Sequence, residues 1–200
     1  FTGTGNLQIG GDYLYSNGAV IPGTGTIIYQ GNLQQTIASI PYNNLTISKT
    51  ASIATVNAGI ALTGNLNVAS GTVDATNSTI TIAGNCSISS GAILDCDVVQ
   101  LFVGGNWANS GTYIYSSGTV TFNGSGNQNI SAGSFHNLII NKPAGIVLLT
   151  GNNTIAENLS VLAGTLNLST FSISRQAIGG VLALASGTTL RLQGTSNFPG

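Results

Sequence analysis

Asn65-Leu66-Asn67-Val68-Ala69-Ser70-Gly71-Thr72 returns, 93 residues on, as Asn158-Leu159-Ser160-Val161-Leu162-Ala163-Gly164-Thr165. The same offset carries Gly25-Thr26-Ile27-Ile28-Tyr29-Gln30-Gly31 onto Gly118-Thr119-Val120-Thr121-Phe122-Asn123-Gly124, and Asn44-Leu45-Thr46-Ile47-Ser48-Lys49 onto Asn137-Leu138-Ile139-Ile140-Asn141-Lys142. Gly10-Gly11-Asp12-Tyr13 lies 94 residues before Gly104-Gly105-Asn106-Trp107. Two copies of one unit, approximately 10–103 and 104–196, therefore fill the chain.

A shorter period runs inside each copy. The unit Asn-apolar-x-apolar begins at Asn44, Asn65, Asn85 and Asn106, in steps of 21, 20 and 21 residues, and Asn137 to Asn158 is another 21. Between these lie further alternating runs, such as Thr79-Ile80-Thr81-Ile82 and Phe171-Ser172-Ile173, bounded by Gly, Asn or Ser. A unit of this size cannot bury its apolar face alone, but stacked on copies of itself it builds one continuous core. The pattern predicts an all-β protein, a β-solenoid (parallel β-helix) with coils of about 20 residues, as a single domain over 1–200. Leu, Ile and Val would face inward and Thr, Ser and Asn outward, with Asn at equivalent bends forming ladders. The competing fold is a tandem pair of β-sandwiches of about 93 residues each, which strands spaced 8–12 residues apart would also fit.

Composition supports the β reading. Charged residues are 4% of the 200, hydrophobic residues 42%, and there are 28 Gly. Disorder requires low hydrophobicity and high net charge, whereas this chain has a mean hydropathy of +0.33 and a net charge of −1. Four cations, Lys49, Lys142, Arg175 and Arg191, cannot neutralise a row of phosphates, which argues against nucleic acid. The longest apolar run, 177–185, is interrupted by Gly179 and Gly180 and is too short for a membrane span. Phe1-Thr2-Gly3-Thr4-Gly5-Asn6 resembles Phe122-Asn123-Gly124-Ser125-Gly126-Asn127, so the chain is expected to begin within a unit, with further repeats or other subunits meeting its ends.

Three stretches carry a family resemblance: Gly105-Asn106-Trp107-Ala108-Asn109-Ser110-Gly111-Thr112, then Gly118 to Gly124, then Phe135-His136-Asn137-Leu138-Ile139-Ile140-Asn141-Lys142. With Asn158 to Leu168 they are similar to the repeat region of large secreted surface proteins of Bacteroidota, often exported by the type IX system. The resemblance implies an extracellular adhesive or structural repeat and implies no catalytic residues.

Candidate chemistry is sparse. His136 is the sole histidine and aligns with Asn43, a turn position. Of Asp12, Asp74, Asp95, Asp97 and Glu157, only Asp95 and Asp97 are close in sequence; they flank Cys96 and are the best carboxylate pair available for catalysis or Ca²⁺, but a solvated turn is the expected role. Cys86 and Cys96, ten apart, would staple one coil as a disulfide in an oxidising compartment, with buried free thiols as the alternative. Asn-x-Ser/Thr sequons stand at Asn44, Asn77, Asn85, Asn123, Asn129, Asn152, Asn158 and Asn167. The pairs Thr2/Thr4, Thr24/Thr26 and Thr79/Thr81 do not recur at the coil step, as a flat ice-binding face would need. Tyr13, Tyr15, Trp107, Tyr113 and Tyr115 are expected to pack on the coil surface, with glycan contact as the alternative. The expected role is a non-enzymatic, cofactor-free stalk or filament segment at a bacterial cell surface, partnered end to end by further repeats or copies of itself. The alternative is an adhesin that binds surface glycans through an exposed face.

Overall fold

The computed structural model describes residues 3–15, 20–75, 78–97, 100–175 and 180–193. Strands and turns, and no helix, make up the described residues, and the strands pair in parallel. Val, Ile and Thr suit a pleated surface, and the abundant Gly, Asn and Ser oppose helix.

The strands stack into three faces. On the first lie β1 (Asn6–Ile9), β2 (Thr26–Gly31), the first half of β4 (Asn44–Thr55), the first half of β6 (Leu66–Asp74), β8 (Cys86–Ile88), β11 (Trp107–Asn109), β14 (Gln128–Ile130), the second half of β16 (Asn137–Leu149), the second half of β18 (Leu159–Asn167) and β21 (Thr189–Arg191). Each pairs with the next in an unbroken ladder. Ten rungs are about nine turns, which at about 4.8 Å per coil gives a rod about 43 Å long. On the second face β3 (Gln35–Thr36), the second halves of β4 and β6, β9 (Ile93–Asp95) and β12 (Thr112–Ile114) form one ladder. β15 (Gly133–Phe135), β17 (Asn153–Ile155) and β19 (Ile173–Arg175) then form a separate one. The third face carries β5 (Ile60–Leu62), β7 (Ile80–Ile82), β10 (Gln100–Val103), β13 (Thr119–Phe122), the first halves of β16 and β18, and β20 (Leu182–Leu184).

Alternation places one set of residues inside. Leu45, Leu66, Cys86, Trp107 and Ile130 stand in register on the first face, and Ile60, Ile80, Leu101, Val120, Leu138 and Leu159 on the third; all are buried. Because the third-face ladder passes from β10 to β13 across the boundary between the two copies, one core serves both. Two separate β-sandwiches are thereby excluded.

Equivalent residues of the two copies do not lie on the same face. From β1 on the first face, four turns lead to β8 on that face, and two faces more lead to its equivalent, β10. β3 on the second face has its equivalent in β14 on the first, and β5 on the third in β17 on the second. One repeat is thus four and two-thirds turns, and each motif falls back by one face per copy.

The corners repeat as well. β4 and β16 both slip register where they bend, after Ile47 and after Ile140. Gly71 and Gly164 sit at the next corner with φ of 78° and 84°. A Cβ there would collide with the Cβ of Lys49 or of Lys142, so only glycine fits on both counts.

Candidate functional site

The predicted Asn ladder holds the bends. Asn44 Oδ1 accepts from the backbone N–H of Asn65 (2.9 Å), Asn65 from that of Asn85 (2.7 Å), Asn85 from that of Asn106 (2.7 Å) and Asn106 from that of Asn129 (2.8 Å). A second ladder runs from Asn137 to Asn158 to Val181. These amides also decide which sequons offer a free side chain. The Nδ2 of Asn44 donates to Asn43 Oδ1 and that of Asn158 to Asn137 Oδ1, both at 2.8 Å. Asn167 is buried and is not an accessible glycosylation site. Asn85, Asn123, Asn129 and Asn152 are exposed, and Asn77 lies outside the described residues.

Two lysines are interior, a feature the sequence reading assigned no role. Lys142, 1% exposed, donates from Nζ to the carbonyls of Gly124 (2.6 Å) and Gly126 (2.7 Å) and to Gln128 Oε1 (2.6 Å). Gln128 Nε2 in turn donates to Val103 O and Gly105 O. The first copy repeats the device: Lys49 Nζ binds Leu33 O and Gln35 Oε1, and Gln35 Nε2 binds Ile9 O and Gly11 O. Burial lowers the pKa of both amines. Each module ties three successive coils together where the chain loops out, and its polar groups are spent on one another and on backbone.

The acidic candidates are likewise engaged locally. Hydrogen bonds from the Ser116 hydroxyl and from its backbone N–H, the latter 2.8 Å from Oδ1, lower the Asp97 pKa, and Asp95 Oδ1 accepts from Asp97 N, while burial raises the Asp95 pKa. Among the described residues no three His, Cys, Asp or Glu side chains group as metal ligands. His136 Nε2 lies 3.0 Å from Glu157 Oε2, a side-chain contact between adjacent coils. The disulfide expectation is corrected: Cys86 and Cys96 are free thiols. Each fills a buried position in its own column as a small apolar residue, and burial pushes the Cys86 thiol up to about 12 and the Cys96 thiol well above its ordinary value.

The aromatic candidates divide. Trp107 (2% exposed) and Tyr113 (8%) are core residues that meet edge to face at 5.0 Å, with Phe135 beside both, so neither presents a ring to solvent as the glycan reading expected. Tyr13 and Tyr15 stack at 6.5 Å, and Tyr113 and Tyr115 at 5.9 Å. Each stack lines a cleft between consecutive coils on the second face. The first cleft, about 570 Å³, opens between 12–15 and 36–40, where Tyr29 and Tyr42 hydroxyls pin the backbone of Ala38. The second, about 450 Å³, opens between 109–115 and 132–134, where the second-face ladder breaks between β12 and β15. The aromatic and polar linings of these clefts make them the candidate binding sites of the rod.

No protein-family model, curated protein or solved structure matches the chain.

Proposed function

We propose that this chain is a rigid structural segment of an extracellular, cell-surface protein, acting as a stalk or filament piece rather than as an enzyme. The observation that carries the reading is the first face, ten parallel strands in an unbroken ladder over one apolar interior. Such a rod holds distance and orientation, because each inner rung of that face is bonded to the coil above and the coil below. Leu182 and Leu184 stand in register with buried Leu159 and Val161 and are 39% and 50% exposed, an apolar surface that contact with another copy would bury.

Immunogold electron microscopy of intact source cells tests this reading. Gold along thin outer projections supports it, and label confined to the cytoplasm of sectioned cells refutes it. A second reading, adhesion to glycans through an exposed face, is favoured by the two tyrosine-lined clefts.

A further inference from the structure

We infer that the cleft between β12 and β15 is a binding site for an uncharged saccharide, one hydroxyl of which enters beside Gly133 and pairs with Trp107 and Asn153. The inference rests on the adhesive reading and makes it specific. Trp107 Nε1 and Asn153 Oδ1 are buried and have no hydrogen-bond partner. Such orphans are destabilising, and they are rare in native proteins. Here they converge: both lie within 4 Å of the point where a Cβ on Gly133 would stand, 3.9 Å for Trp107 Nε1 and 3.8 Å for Asn153 Oδ1. Gly133 also lines the cleft.

The pair selects its ligand by chemistry. Trp107 offers only a donor and Asn153 Oδ1 only an acceptor, so the missing partner must both accept and donate. A hydroxyl does both. A carboxylate or phosphate would face the amide oxygen with no hydrogen to give, and an ammonium would face the indole N–H with no lone pair. The rest of the lining agrees, since Asn109, Ser110, Thr112, Tyr115 and Ser134 supply hydroxyl and amide groups with no charge among them. Half-buried Tyr115, stacked on Tyr113, offers aromatic surface for a sugar ring. A volume of about 450 Å³ is within the range of small-ligand pockets.

Trp107, the only tryptophan of the chain, is a built-in reporter. Its fluorescence would be titrated with neutral hexasaccharides (malto-, cello-, manno- and N-acetylchito-series) and with anionic sialyllactose and oligogalacturonate. At least one neutral sugar is expected to change the emission saturably, and the anionic sugars are not. Gly133→Ala should weaken that binding by about tenfold or more while leaving the melting temperature unchanged, because its Cβ would meet only ordinary van der Waals contacts. Trp107→Phe, followed by calorimetry, should weaken it similarly. Neutral-sugar binding that survives Gly133→Ala but is lost on Tyr15→Ala would overturn this inference and keep adhesion. Binding of the anionic sugars alone would also overturn it. Absence of binding by every sugar would end both.

Discussion

Replacing Lys142 by Met keeps the length and apolar stem of the side chain and removes only the ammonium. Three hydrogen bonds are then lost, to Gly124 O, Gly126 O and Gln128 Oε1, the last of which keeps the N–H of Gly124. Hydrogen bonds to a charged group are worth about 1.5–3 kcal/mol each, so the gross loss is about 5–9 kcal/mol. Against this stands the cost of stripping the ammonium of water, several kcal/mol for a side chain 1% exposed. The net destabilisation expected is about 2–4 kcal/mol. Lys49→Met, which strands only Leu33 O and Gln35 Oε1, should cost about 1–3 kcal/mol, less than its counterpart. Gln128→Leu combined with Lys142→Met should depart from additivity by about 1–3 kcal/mol, since the two side chains share one network. Urea denaturation followed by Trp107 fluorescence reads this region directly, because Trp107 is the register partner of Ile130, two residues from Gln128. If Lys142→Met proves as stable as the parent, or more so, the ammonium is not a tie between coils and the reasoning fails.

Further outcomes follow from the same geometry. Gly164→Ala places a Cβ 2.9 Å from Lys142 Cβ at a φ of 84°, and should cost about 2–4 kcal/mol. Gly91→Ala, at a φ of 79° with nothing within 4 Å, should cost only about 1 kcal/mol; equal melting temperatures for the two variants would contradict the steric argument. Removing an Asn rung with Asn85→Ala leaves Asn106 N without its acceptor and should lower stability by about 1 kcal/mol in the same urea assay. Alkaline pH should destabilise the fold through its thiols. The folded chain keeps the Cys86 proton up to about 12, whereas an unfolded thiol loses it near 9.0, so stability falls as pH rises through that window. The slope is about 1.4 kcal/mol per pH unit for each fully shifted thiol. The buried lysines act in the opposite sense, so the comparison to make is with Cys86→Ala/Cys96→Ala, whose midpoint should fall less between pH 9.0 and 11.

The coil was legible because its signal is periodic and local. Asn44, Asn65, Asn85 and Asn106 mark the step, and the structure bonds each of these amides to the N–H of its successor. The Lys–Gln modules were present in the same alignment, Gln35 over Gln128 and Lys49 over Lys142, but a polar residue in a soluble chain reads as surface unless its acceptors are known. Those acceptors are backbone carbonyls of loops that no composition rule places. Trp107 and Tyr113 were misplaced for a related reason. The Asn-apolar-x-apolar pattern already put Trp107 at the inward position of Cys86 and Leu66, and the similarity of Tyr13 and Trp107 between copies obscured it. The second cleft could not be read at all, since it arises where β12 and β15 fail to pair, a matter of register between distant segments.

The non-integral pitch of the repeat bears on mechanics. A rod whose soft points lay along a single line would flex toward that side, like a hinged ruler. Here the outward loops of the Lys–Gln modules fall at different azimuths in the two copies, and any tandem run of the same unit would need three copies to bring them back into line. Such a shaft would resist deflection about equally in every direction, which is what a projection exposed to flow from all quarters requires.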